Sequence, residues 1–474
     1  MADAYDAIII GSGPNGLAAA ITLAQKQWRV LVLEAADTIG GGTRTKGLTL
    51  PGFHHDVCSA VHPTAVVSPF FQSLDLARHG LEFIQPELPL AHPLANGRAA
   101  VLHRSLDETV AGLGRDGWRY HALFETLITN SAKLYPDILD PLSLPRHPFL
   151  MARFGVGAML PARTLAKLAF RDEPARALLA GNAAHSVLPL ESPFTSAIGL
   201  MLQMTAHAAG WPVAKGGSQA IAEALAAELK SLGGEIRCGH KVTFLAELPA
   251  SRVVLFDTSP RQLIDIAGSA LPSGYQRRLH AFKHGPGVFK IDYALDGPVP
   301  WLNESCRKAG TVHVGGTLDE IAHSEAQACH GEHPDRPFVL VSQPTVCDPS
   351  RAPEGKHVLW AYCHVPAGST RDMSHIINAQ IERFAPGFRD RILAAHTLNT
   401  VQMEAYNGNY IGGDIVGGMA NWAQLLTRPI VSLNPYATPN PRLYLCSAST
   451  PPAGGVHGMC GSNAARAVLR RHRA

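Results

Sequence analysis

The sequence predicts an α/β fold: a parallel sheet assembled from segments far apart in the chain, with an α+β unit inserted between them. Three observations predict it. Residues 8–10 and 30–33 are short apolar runs joined by an unbroken helix-forming stretch, 17–25, as for buried parallel strands around a crossover helix. The texture returns late, where Ile221, Leu225, Leu229 and Leu232 share one helix face and strand-like 235–238, 242–245 and 253–256 follow. Last, strand-like 442–446 leads into a small-residue loop with Gly454, Gly455, Gly458 and Gly461, then a helix over 463–471.

The first strand runs into Gly11, Gly13 and Gly16 in G-x-G-x-x-G spacing, with Ser12, Pro14 and Asn15 between them. Gly11 makes the tight turn, Gly13 lets a pyrophosphate approach the backbone, and Gly16 lets helix pack on strand. The helix start offers free N–H groups and a positive dipole end. Glu34 closes the second strand and can accept hydrogen bonds from ribose hydroxyls; its charge opposes a 2′-phosphate and argues against NADP. Gly112, Gly114 and Gly117 repeat the spacing without a strand before them. They read as a turn, with Asp116 capping the next helix. For the first match, a scaffold half that binds nothing is the competing reading.

The 474 residues suggest two or more domain-sized units. Charged residues are only 17% of the chain, below the usual ~25%, which implies a large core, a hydrophobic cavity or contact with a membrane surface. The net charge of +3 argues against a nucleic-acid partner. Eight cysteines without C-x-x-C or zinc spacing read as reduced thiols, and no metal site is expected. No basic n-region precedes the first strand, so the expected location is cytoplasmic. The uncharged stretch 192–214 reads as a buried, pocket-lining helix rather than a membrane span. The basic amphipathic segment 150–171 can cover a pocket mouth or lie on a membrane.

Taken in order, Gly40, Gly41, Gly42 and Arg44 form a loop that can meet a phosphate or serve only as a flexible connection. Residues 48–53 read as a strand and turn. Between 68 and 210 the chain is mainly helical, with short strands at 81–83, 88–91 and 98–102. Ser218 reads as the N-cap of the late amphipathic helix. Thr317 and Glu320 form a capping box for a helix to Cys329. Strands at 287–294, 338–342 and 357–363 with helix 376–384 read as an antiparallel α+β unit.

These pieces together resemble FAD enzymes of the glutathione-reductase and amine-oxidase structural type. Leu50-Pro51-Gly52-Phe53, the run His55-Asp56 to His62-Pro63, Gly285 to Asp292, Gly412 to Gly418, and Pro451 to Met459 resemble the phytoene dehydrogenase-like family, in its bacterial branch related to the pyridine nucleotide-disulfide oxidoreductase domain protein 2 group. The resemblance implies a discontinuous Rossmann-like FAD-binding domain formed by 1–67, 212–268 and 421–474. A helical substrate segment, 68–211, and a sheet domain, 269–420, would be inserted. It implies that Gly11, Ser12, Gly13, Pro14, Asn15, Gly16, Glu34, Ala35, Gly41, Gly42, Arg44 and Val242 meet the adenosine and diphosphate. Gly455, Val456, His457, Gly458 and Met459 would follow the ribityl chain and flavin, and Ser59, Ala60, Val61 and His62 would face the ring. Related amine oxidases carry Arg after the Gly-Gly pair; Gly42 stands there, so that role falls to Arg44. Ser447 stands where many flavoproteins have Asp.

The activity implied is a dehydrogenase or desaturase. A hydrophobic, unsaturated isoprenoid or lipid-like substrate would pass a hydride to flavin N5, and low charge content fits an apolar tunnel. With no second nucleotide fingerprint, a quinone or oxygen is the expected acceptor, and peripheral membrane contact is compatible with it. His62 and Asp414 are the candidate acid/base groups. A flavin-packing role for His62 and a turn role for Asp414 are the competing readings. A redox-neutral polyene isomerase and a non-catalytic binding module are the alternatives for the whole chain.

Overall fold

A computed structural model describes residues 5–472. Its first layer is a five-stranded sheet in the order Leu443–Leu445, Ser251–Phe256, Tyr5–Ile10 (β1), Val30–Leu33 (β2), Glu235–Arg237, every pair parallel. Ile10 lies opposite both Leu33 and Phe256, and Phe256 opposite Leu445. Strand ends from widely separated segments are therefore level. All of β2 is buried, as a strand covered on both faces requires. Helix α1, Pro14–Ala24, opens with proline in its first turn, where the missing N–H would have had no partner anyway. The expected α/β class, with a Rossmann-like layer gathered from distant segments, is the fold observed.

Helix α1 packs on the C-terminal helix Met459–Arg471. A methyl group added to Gly461 would lie 1.8 Å from Asn15 O and 2.9 Å from Ala19 N. The two backbones are in direct contact there, and Thr22 Oγ1 reaches Ser462 Oγ at 3.3 Å beside them.

The second layer is a seven-stranded sheet in the order Ile392–Leu398, Gly287–Leu295, His357–Val365, Val339–Ser342, Ala309–Val314, Leu88–Pro93, Ala99–Leu102. Its pairs are antiparallel except Ala309–Val314 with Leu88–Pro93. Strand alternation sorts its side chains. Phe289, Ile291, Val341, Leu359 and Ala361 pack with Ile377 and Ile381 of helix Ser374–Glu382. Lys290, Asp292, Trp360, Tyr362, His313 and His364 take the alternate positions, on the face toward the first layer.

Several expectations need correction. Residues 48–53 form a turn, and 242–245 run as coil into a short 3-10 turn. Asp116 precedes helix Gly117–Thr129 but does not cap it; its carboxylate accepts from Arg171 N and Asp172 N instead. Ser218 precedes helix Gln219–Ser231 without a side-chain cap, because its hydroxyl is used elsewhere. The strands read at 88–91 and 98–102 belong to the second sheet, and the basic stretch 150–171 is two helices, Pro148–Ala158 and Ala162–Ala169. Among the described residues no helix is long and apolar enough to cross a membrane.

Gly461→Ala is expected to force the two helices apart, at a cost on the order of 1–3 kcal/mol for overpacking. A thermal melt compared with a glycine-to-alanine control at half-buried Gly155, where a methyl group would meet nothing within 4 Å, checks it.

Candidate functional site

The ends of β1 and of strand Leu443–Leu445 deliver the two glycine loops to one side of the parallel sheet. Gly11 has φ +103°, which gives the tight turn its shape. A methyl group on Gly41 would stand 3.1 Å from Gly13 Cα, so the second loop closes directly over the first. From the other end, Gly458 has φ +66° and caps the last helix. Ser68 Oγ donates to His457 O at 2.6 Å and Thr64 Oγ1 to Val456 O at 3.4 Å. The N-termini of α1 and of Met459–Arg471 therefore sit close together. Gly11, Gly13, Gly41, Gly42, Gly454 and Gly455 all keep accessible surface in otherwise buried surroundings. This is a backbone-lined cradle that suits a diphosphate and a flat ring.

The polar residues of the cradle are more committed than expected. Glu34 Oε2 accepts from Ser12 N at 2.9 Å and Ser12 Oγ at 2.6 Å; Oε1 accepts from Ala36 N at 2.9 Å and Arg44 Nη2 at 3.1 Å. Four donors fill its four acceptor positions, so a ribose hydroxyl must displace one. Of the four donors, the Ser12 hydroxyl is the one that could turn away without moving backbone or breaking the ion pair with Arg44. Arg44 is buried and also donates to Thr38 O and Gly41 O. It therefore braces Glu34 and its loop rather than presenting its guanidinium to a phosphate. At Gly42 a methyl group would lie 2.4 Å from Tyr410 Oη, which explains why no arginine follows the Gly-Gly pair. Tyr406 donates to Gly41 O at 3.2 Å; neither tyrosine was assigned from the sequence. Val242 lines a groove of about 680 Å³ with Lys241, Arg261, Gln262 and Gly408. Next to it His240 N donates to Glu34 O at 2.8 Å. Ser447 Oγ accepts from Ser449 N within its own turn.

Between the two layers, Ser59 and Val61 are half-buried, and Ala60 and His62 are buried. His62 Nε2 is 2.8 Å from Ser218 Oγ, and Ser218 Oγ donates to Ser59 O at 2.6 Å. With the serine proton committed, His62 Nε2 must be the donor in this assignment. Its Nδ1 is left as acceptor, facing Ser59 Oγ at 3.5 Å. Burial lowers the His62 pKa to about 4, so the ring is neutral at pH 7. A proton added to the neutral ring would go to Nδ1, the nitrogen that faces Ser59.

Asp414 must be corrected. Its Oδ2 accepts from Gly285 N and Gly418 N at 2.9 Å, and its Oδ1 from Val416 N at 2.9 Å; His284 Nδ1 is 3.3 Å away. Burial alone would raise its pKa, but His284 and the N–H groups of Gly285 and Val416 more than offset this and hold it below the usual carboxylate range. A carboxylate so satisfied carries no proton at neutral pH, and its role is to tie two loops together.

The sheet face opposite Ser59 and His62 carries groups the sequence reading passed over. Lys290 is buried, bonds Asp292, and stands 5.6 Å from the Trp360 ring centroid. His55 Nδ1 is 3.8 Å from Asp292 Oδ1. Burial pushes His55 down to about 3, and raises Asp292 to about 6 despite Lys290. The signal was legible: a lysine and an aspartate two apart, on one face of an otherwise apolar strand, Gly287–Leu295. Asp56, beside His55, accepts from Arg351 Nη2, Ser218 N and Thr45 Oγ1 at 2.9, 2.8 and 2.7 Å. Further along, His92 and His313 stand on this face with His185 Nε2 3.1 Å from His313 Nε2. Helix Thr195–Ala208 is mostly buried, as expected, and packs on helix Glu173–Ala183.

A family model described as an NAD(P)-binding Rossmann-like domain matches residues 9–74. The rat pyridine nucleotide-disulfide oxidoreductase domain-containing protein 2 is 25% identical over 552 aligned residues, covering 98% of this chain and 93% of the rat protein. Phytoene dehydrogenase of Streptomyces griseus is 25% identical over 410, covering 82% and 77%. The chain resembles the phytoene dehydrogenase-like oxidoreductases. Among solved structures, an oxidoreductase from Methanosarcina mazei matches with a TM-score of 0.65 at 15% identity, covering 98% of this chain and all of that one. Cyclohexylamine oxidase from Brevibacterium oxydans matches with a TM-score of 0.60 at 16% identity, covering 99% and 100%. The expected resemblance and fold class agree with these comparisons.

Asp414→Asn is expected to lower the melting temperature at pH 7, since one amide oxygen cannot accept all three N–H groups. The folded pKa lies below the unfolded value of about 4. Its stabilisation is therefore present above that value and lost as pH falls through the folded one. The difference between wild type and variant should narrow in melts below pH 4.

Proposed function

We propose that this protein is an FAD-dependent oxidoreductase that oxidises a largely apolar, lipid-like substrate by hydride transfer from a substrate C–H bond. The observation that carries the reading is the cradle formed where the first and last chain segments meet, Gly11–Gly16 against Gly455–Met459. Bound FAD would supply the two-electron acceptor, flavin N5. The N-terminal N–H groups of α1 would hold the diphosphate, Glu34 the ribose, and the loop of Gly455, Val456 and His457 the flavin side. Burial keeps His457 neutral, lowering it to about 4, and its Nδ1 accepts from Met459 N at 3.0 Å. It fixes the loop without adding charge.

Trp360, Tyr362 and Leu340 pack into the principal core. Beside the polar pair Lys290 and Asp292 on the same sheet face, they would supply the apolar surface for a substrate that is apolar in most but not all of its length. His62, with Nδ1 toward Ser59, would move the proton. A quinone or oxygen would take the electrons on, since the chain carries one dinucleotide fingerprint. Supply from a lipid surface is supported by Leu142, Leu144, Phe149, Val156, Met159 and Leu168, all more than half exposed within one stretch of the chain.

Purified protein is expected to show the absorbance of oxidised flavin. Colourless protein that does not take up added FAD would remove the proposal. With a substrate in hand, His62→Gln should keep the flavin and slow its anaerobic reduction roughly 10²-fold, the lower range for a lost acid/base group. Unchanged reduction would leave His62 a packing residue. Replacing Leu144 and Phe149 by Ser should reduce co-sedimentation with phospholipid vesicles while leaving the flavin spectrum intact.

A further inference from the structure

Asp257 follows strand Ser251–Phe256, and its backbone is fixed on both sides: its N–H donates to Ile10 O at 2.8 Å, and its carbonyl accepts from Asn409 Nδ2 at 2.9 Å. The side chain turns into the first turn of α1. Oδ2 accepts from Gly16 N at 2.9 Å, and the Gly13 N–H lies close enough to draw the carboxyl's pKa down. A methyl group on Gly13 or Gly16 would stand 2.7 or 2.9 Å from Oδ2, and one on Gly11 would stand 2.9 Å from Asp257 O. All three fingerprint glycines thus close around this one acid.

The helix start offers an anion about half a positive charge. A diphosphate there would meet a second carboxylate already drawing on the same N–H groups. Facing Asp257 from the other elements are Glu34 at the end of β2, Cys446 after strand Leu443–Leu445, and Cys460 on the last helix. Burial pushes Cys460 up to about 12 and Cys446 well above its usual value, so neither thiol ionises near neutrality. Glu34 is engaged with Arg44. Burial, with the like charge of Glu34, outweighs the N–H groups and raises Asp257 to about 8.

We propose that Asp257 is a cofactor-binding residue that must be a neutral acid while a dinucleotide diphosphate is bound, so that binding at alkaline pH takes up a proton. In the acid form Oδ2 can still accept from the helix, and the carboxyl gains a donor that a phosphate oxygen can use. The inference rests on the FAD reading above.

The test is the affinity of apoprotein for FAD, followed by flavin fluorescence from pH 6 to 9. Wild type should be flat below pH 8 and then weaken, approaching roughly tenfold per pH unit, the slope of one linked proton. Asp257→Asn, which carries no charge at any pH, should stay flat and at pH 9 bind several-fold to roughly tenfold more tightly than wild type. Parallel profiles for the two proteins would overturn the proposal while leaving FAD binding intact. Wild type that binds no FAD at any pH would overturn the FAD reading, and this inference with it. Should Asp257→Asn not fold, calorimetry of wild type at pH 9 in two buffers of different ionisation enthalpy decides. Uptake approaching one proton per FAD supports the proposal, and no uptake overturns it.

Discussion

The contact of Gly461 with the carbonyl of Asn15 is the constraint on which the rest depends. It brings the first and last helices of the chain together with no side chain between them. With their backbones in contact, both N-termini converge on one side of the parallel sheet, and two partial positive charges converge with them. Phe70 then packs over Gly458, and Ser68 holds the carbonyl of His457. The loop after the second strand closes over the start of α1, where a methyl group on Gly41 would stand 3.1 Å from Gly13 Cα. The cradle is thus a consequence of one close helix crossing.

A second constraint holds the two layers in register. Arg351 reaches from the sheet domain to Asp56 and to the carbonyl of His54. Asp56 in turn fixes the backbone of Ser218, which orients His62. Both charges of the pair are buried, so neither can be removed without leaving the other unpaired in a poor dielectric. Such a pair adds little net stability, but it permits one relative position of the layers and so one placement of the sheet face against the cradle.

The polarity of that sheet face changes the picture of the substrate space. Composition suggested an apolar tunnel, because a low charge count says how much polar material there is and nothing about where it lies. Five charged or histidine side chains lie buried on or against it: Lys290, Asp292, His55, His313 and His92. Trp360 Nε1 and the Nδ1 atoms of His92 and His313 have no protein partner among the described residues. A strand of alternating pattern shows that one face differs from the other; only the packing shows which face meets the cofactor layer.

The sequence by itself determined the parallel layer, the glycine turns and the acid after the second strand. These rest on local rules: β-branched runs, left-handed turns that need glycine, and a helix start with unpaired donors. It also determined which two ends of the chain carry the cradle. Tertiary structure alone decided that Arg44 serves Glu34, that Asp414 ties loops, that Ser218 holds His62, and that Asp257 enters the first turn of α1. The partners in those contacts are separated by up to 241 residues. A carboxylate's role follows from which donors reach it and how much water remains, and neither is a property of its neighbours in sequence.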